Sequence, residues 1–195
     1  MSGRHTVRAL GPSILPLMSR RSAGPDLRAF IAAARRGVLA TIDPDDMPRL
    51  VPICYVLATE PQGDSLVLYS ALDEKPKRVG DPLALARVRD LLARPAAAVL
   101  VDRWSEDWQR LGWVRLACRG DILAPEGDGT GDARGSPRSG EGATGLSATG
   151  DEHTFAVAAL RAKYPQYRGQ RLERRPLIRL TCSVASSWGA VEEET

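Results

Sequence analysis

Histidine occurs only twice in the 195 residues, as His5 and His153. His5 lies in a stretch without pattern and His153 at the edge of a glycine-rich one, so both are expected to be solvated loop residues, not general bases. No nucleophile and base are paired in the sequence, and no catalytic residue can be named from it. Cysteine is also sparse: Cys54, Cys118 and Cys182 are odd in number, far apart and set in apolar, strand-like runs. That pattern argues against a disulfide framework or a metal site and for a reducing, cytoplasmic setting. Aromatic residues make up 5% of the chain, and Lys plus Arg exceed Asp plus Glu by only 27 to 24. Without a long basic stripe the balance does not call for nucleic acid. No apolar run approaches the roughly 18 residues of a membrane span. The Arg20–Arg21 pair is followed by Ser22, Ala23, Gly24, Pro25 and Asp26, not by an apolar export segment.

The pattern that is present fits one domain. Residues 1–23 carry Gly3, Gly11, Pro12 and Pro16 with no usable period and are expected to form a loose arm, with Met18 an alternative start. Leu27, Phe30, Ile31 and Ala34 then fall at helical spacing, with Asp26 at the start and Gly37 placed to cap. Residues 38–42 and 50–58 read as strands joined by a turn rich in Pro and Asp. A third strand begins at Leu66, giving a three-stranded meander. Asp81 and Pro82 have the character of a helix start, and Leu85, Val88, Leu91 and Leu92 supply an apolar face. A strand over 96–102 leads to a loop with Trp104, Trp108 and Trp113.

The clearest strand alternates Val114, Leu116, Cys118 and Ile122 with Arg115, Arg119 and Asp121, a strict period of two. The same alternation returns in Ile178, Leu180, Cys182 and Val184. Between these strands, residues 125–150 hold eight glycines and three serines, too little apolar surface to offset the entropy of ordering, so a disordered insertion is expected. A helix from Asp151 should present Phe155, Ala158, Ala159 and Ala162 on one face. Residues 189–195 form an acidic tail. The fold expected is mainly β (α+β): a single domain over 24–188, built as a small closed barrel of about six strands with short peripheral helices.

Chemistry concentrates where the third strand ends. Ser70 delivers the chain to Lys75, Lys77 and Arg78, three cations within four residues and interrupted by Pro76. Beside a hydroxyl and free backbone N–H groups, they form a cradle suited to a phosphate.

The segments RRGVLATID at 35–43, PRLVPICYVL at 48–57, DEKPKR at 73–78, LVDRWSEDWQRLGWVR at 100–115 and LRAKYPQYR at 160–168 occur in order. Together they resemble the FMN-binding split-barrel superfamily of pyridoxamine 5′-phosphate oxidase, most of all its actinobacterial branch of coenzyme F420-dependent oxidoreductases. The resemblance implies a homodimer with the cofactor at the subunit interface, acting on a small organic substrate. Ser70, Lys75, Lys77 and Arg78 would hold the phosphate. Leu50, Val51 and Pro52 would approach the ring, and Trp113 would line the pocket from the other subunit. Many relatives carry a polar residue where Pro52 stands, and a proline offers no N–H. The C-terminus lacks the arginine motif of the vitamin-forming oxidases. The implied activity is F420-dependent hydride transfer. The alternatives are an FMN-dependent oxidoreductase on the same barrel or a non-catalytic flavin-binding protein.

Overall fold

The computed structural model describes residues 23–58, 66–73, 81–125 and 148–191. The N-terminal arm, most of the glycine-rich insertion and the acidic end of the tail lie outside the described residues. Helix α1 (Pro25–Ala33) begins with proline in its first turn, where no N–H is needed, and with Asp26 near its positive end. Phe30 and Ile31 bury its apolar face as the spacing requires. Gly37 does not cap it. The helix ends at Ala34, and Gly37 opens strand β1 (Gly37–Ile42) instead.

Strand β2 (Pro48–Ile53) pairs antiparallel with β1, Val38 opposite Pro52 and Ala40 opposite Leu50. The turn between them is tied by Asp43, whose carboxylate accepts from the N–H groups of Asp45 and Met47 at 3.0 and 2.9 Å. The expected single strand over 50–58 breaks at Cys54 and Tyr55. Its second half is a separate strand, β3 (Val56–Ala58), which pairs with β4 (Leu66–Ala71). The meander is therefore not continuous, and there are seven strands.

The remaining strands are β5 (Ala96–Arg103), β6 (Gly112–Leu123) and β7 (Leu177–Gly189). All seven form one open antiparallel sheet in the order β2-β1-β5-β6-β7-β4-β3. Its edge strands β2 and β3 are consecutive in sequence. The Cα atoms of Ile53 and Val56 can therefore be no more than about 11 Å apart, which curls the sheet and brings its two edges close at this corner; the barrel expected to be closed is instead split, with β2 and β3 not paired to each other. At this corner the Tyr55 N–H donates to Tyr164 Oη at 3.0 Å, and the Tyr164 hydroxyl donates to the Tyr55 carbonyl at 2.7 Å. One side chain thus replaces a ladder partner for both backbone groups of Tyr55.

Two apolar clusters flank the sheet. The barrel core gathers Leu39, Leu66, Leu68, Val99, Val101, Val114, Leu116 and Leu180. The second lies on the other side of β4, where Val67, Tyr69 and Ala71 meet Ala156, Val157 and Leu160 of helix α3 (Ala148–Lys163). Strand β4 is buried on both faces, which is why it reads as an unbroken apolar run. The face of α3 differs from the expected one: Phe155 and Ala158 are exposed, whereas His153, Ala156, Val157 and Leu160 are buried. His153 is 1% exposed, and its Nε2 donates to the Arg175 carbonyl at 2.9 Å, so it is a packed helix residue and not a solvated loop histidine. On the same helix Glu152 accepts from Tyr69 Oη at 2.5 Å and from Arg179 Nε at 2.7 Å, clamping α3 to β4 and β7.

Helix α2 (Ala86–Ala93) starts later than the sequence suggests. Asp81 caps a 3-10 turn, accepting from the Leu83 N–H, and Leu85 precedes the helix proper. Val88 and Leu91 face the core, but Leu92 is exposed. Asp90, also buried, accepts from Thr41 Oγ1 at 2.8 Å and from Arg49 Nε at 2.9 Å, joining α2 to the β1–β2 hairpin. Where α2 crosses β6 the approach is close: a Cβ on Gly120 would lie 2.6 Å from Leu91 Cδ2, so Leu91 would have to shift to admit it.

Cys118 and Cys182 stand opposite one another on β6 and β7 and form a disulfide, with Cys54 the free cysteine. This corrects the expectation of three unpaired thiols. The argument for a reducing compartment loses the ground on which it stood. No helix among the described residues is long and apolar enough to cross a membrane.

Candidate active site

Register places the candidate residues in two groups. On the outer face of the sheet, Pro52, Val38, Leu100, Arg115 and Ser186 follow one another across β2, β1, β5, β6 and β7. The next outward row carries Asp102, Trp113 and Trp188. Small or apolar side chains on β1 and β5 leave a hollow here. Apart from Pro52, which is not among its walls, these residues line an open cavity of about 680 Å³ with Trp104 from the loop after β5 and Arg36 from the approach to β1. That is ample for a tricyclic ring system, since ligand sites usually measure about 300–1,000 Å³. Leu50 is 65% exposed on β2, one outward position from Pro52, whereas Val51 points to the other face and packs against the barrel core.

Trp188, 55% exposed, faces Trp113 directly across the ladder. The sequence does not single it out. Continuing the alternation of the last strand beyond Val184 through Ser186 would have placed it outward beside Trp113. Trp113 itself is not core packing, because the interior positions of β6 are Val114 and Leu116.

Ser70 belongs to the second group. It is 3% exposed and stands opposite Ile178, which is itself opposite Ile122 on β6. Trp113 lies at the other end of the same strand, roughly 30 Å away at the usual rise per residue. Within one chain, Ser70 and Trp113 do not meet. Pro52 and Leu50 lie between them: on the Trp113 side they share the outer face, and across the seam Val56 is opposite Tyr69, the neighbour of Ser70.

Lys75, Lys77 and Arg78 lie outside the described residues. What surrounds the end of β4 is described. Arg175 Nε donates to the Leu72 carbonyl at 2.8 Å, and Tyr167 Oη donates to the Asp73 carboxylate at 3.5 Å. Arg87, on the first turn of α2, has a buried Nε with no hydrogen-bond partner among the described residues. Burial holds its pKa below the usual arginine value, while Asp73 and Tyr167 favour its charge. An orphaned guanidinium donor costs about 1–3 kcal/mol, and a phosphate oxygen is the kind of acceptor that would relieve it. The residues present therefore fit a phosphate at this end of the barrel and a flat ring at the other. Arg87 carried no signal in the sequence, where it reads as one more solvated helix cation.

A family model described as pyridoxamine 5′-phosphate oxidase matches residues 23–188, most of the chain. The chain belongs to this family. The curled seven-stranded sheet is accordingly the split barrel of the pyridoxamine 5′-phosphate oxidase family. Among solved structures, a conserved hypothetical protein from Mycobacterium tuberculosis is similar with a TM-score of 0.51 at 13% identity, covering 83% of this chain and 80% of that one. A heme-binding protein from Mycobacterium smegmatis gives 0.49 at 19% identity, covering 83% and 51%, and an F420 reductase gives 0.45 at 16%, covering 83% and 94%. At such identities the likeness is one of fold. No curated protein matches the sequence.

Proposed function

We propose that this member of the pyridoxamine 5′-phosphate oxidase family is an F420-dependent oxidoreductase that works as a homodimer on a small organic substrate. The observation that carries this reading is the division of its site. The phosphate end, with Ser70 and Arg87, and the ring end, with Trp113 and Trp188, are separated by the length of β6. A second copy, setting its tryptophan face against the β2 edge of the first, completes the site. Ser70 and Arg87, together with Lys75, Lys77 and Arg78 of the basic turn, hold the phosphate. Leu50 and Pro52 support the ring, and the tryptophans of the partner cover it.

The coenzyme, when bound, supplies hydride transfer at its ring carbon. The protein's part is to orient ring and substrate and to keep water out, which is worth several kcal/mol when the reacting atoms are held in near-attack geometry. Apolar Leu50, Pro52 and Leu100 and the two facing indoles suit that task. Pro52 favours a deazaflavin over FMN on chemical grounds. A flavin N5 accepts a hydrogen bond, which a proline cannot give, whereas a deazaflavin has carbon there and asks for none.

The test is deazaflavin-dependent reduction of a panel of activated alkenes and quinones, with sedimentation of the same sample. The expected result is turnover above background by a species of twice the chain mass. Binding without turnover would instead identify a flavin-sequestering protein, and turnover by a stable monomer would remove the shared site.

A further inference from the structure

Cys118 and Cys182 are directly opposed across the two longest strands, with Cα atoms 4.1 Å apart, and their bond spans a sequence separation of 64. Two register pairs away, Leu116 faces Val184, and the ladder then shifts at a bulge between Arg115 and Leu116. Beyond the bulge lie Trp113 and Trp188, walls of the cavity. A bulge leaves one residue unpaired, and a slip of one residue turns every side chain it passes to the other face. Trp113 and Trp188 share the outer face only while the bulge stays where it is. The disulfide pins the register on the barrel-core side of the bulge, and Gly112 opposite Gly189 closes the other side.

We propose that Cys118 and Cys182 are a reversible thiol–disulfide pair that sets how firmly β6 and β7 hold the tryptophan wall of the cavity. Cys182 is 3% exposed and Cys118 only half-buried, so exchange starts at Cys118. A small external thiolate attacks Cys118 Sγ, the bond to Cys182 Sγ breaks, and Cys182 leaves and takes up a proton. A second external thiolate then attacks the outer sulfur of the mixed disulfide and releases Cys118. Two external thiols become one external disulfide, and two protein thiols are formed. The inference does not depend on which coenzyme the barrel holds.

The experiment equilibrates the full chain with dithiothreitol or with its oxidised form, then alkylates it under denaturing conditions. One reactive cysteine, Cys54, is expected after oxidation and three after reduction. The reduced protein should melt lower by on the order of 10 °C, because a covalent link across a loop of this length restricts the unfolded chain. Amides of 112–116 and 186–189 should exchange faster in the reduced form, while those of α3 do not. The Cys118→Ala/Cys182→Ala double variant should behave like the reduced wild type and ignore both reagents. Three reactive cysteines in the oxidised sample would overturn the pair. Unchanged exchange over 112–116, or an equal increase over the whole chain, would overturn its control of the cavity wall.

Discussion

Gly189→Val is expected to lower the melting temperature by roughly 6–12 °C and to abolish ligand binding at the tryptophan face. Gly189 has φ of +78°, a conformation in which a β-branched residue is a genuine outlier. A Cβ there would also lie 2.2 Å from the Leu111 carbonyl oxygen. That oxygen cannot withdraw freely, because it accepts from the Ala190 N–H at 2.7 Å. Across the ladder Gly112 is equally confined, its Cβ position 2.8 Å from the Ala190 oxygen. Backbone strain and backbone clash together should cost about 3 kcal/mol or more. The damage falls next to Trp113 and Trp188, so function should fail with stability. Gly169→Ala is the control, since nothing lies within 4 Å of its Cβ position. If thermal denaturation shows Gly189→Val melting within a degree or two of the parent, the closure of β6 on β7 is not as described.

Arg87→Met should weaken binding of a phosphorylated coenzyme by roughly ten- to a hundredfold, the worth of a charge-assisted hydrogen bond of about 1.5–3 kcal/mol. It should leave the dephosphorylated chromophore, riboflavin or its deaza counterpart, unaffected. Methionine keeps the apolar stem and removes an orphaned donor but also takes the cation from beside buried Asp73, so these effects oppose and the variant without ligand should still fold and melt cooperatively. The comparison of phosphorylated with dephosphorylated ligand separates phosphate anchoring from general damage to the barrel. Equal losses for both ligands would show that Arg87 merely supports the fold, and no loss for either would take it out of the site.

The strands were legible where one face is wet and the other dry, as in the alternation around Val114 and Leu116. The first helix was legible from Phe30 and Ile31. Other features depend on partners far along the chain. The break at Cys54 and Tyr55 exists because the hydroxyl of Tyr164, 109 residues later, takes over the backbone hydrogen bonds there. The buried face of α3 is hidden in the sequence because His153 looks polar, yet with Ala156, Val157 and Leu160 it completes an i, i+3, i+4, i+7 stripe. The disulfide follows from the register of β6 on β7, which two isolated cysteines do not announce. Of the site, family likeness grouped Leu50, Val51 and Pro52, and only the strand pairing shows that Val51 turns to the core while Trp113 lines the cavity. The separation of Ser70 from Trp113 needed the strand order. Arg87 needed the approach of α2 to Asp73 and Tyr167.

The central claim is that two copies of this split barrel together bind a phosphorylated deazaflavin, and equilibrium titration of the wild-type protein with F420 and with FMN tests it most directly. One coenzyme per chain in a dimer is expected, with F420 at least about tenfold tighter than FMN and affinity that falls as salt rises because the phosphate end is held by cations. Failure of both coenzymes to bind at micromolar concentration, or full-affinity binding by a monomer, would contradict it.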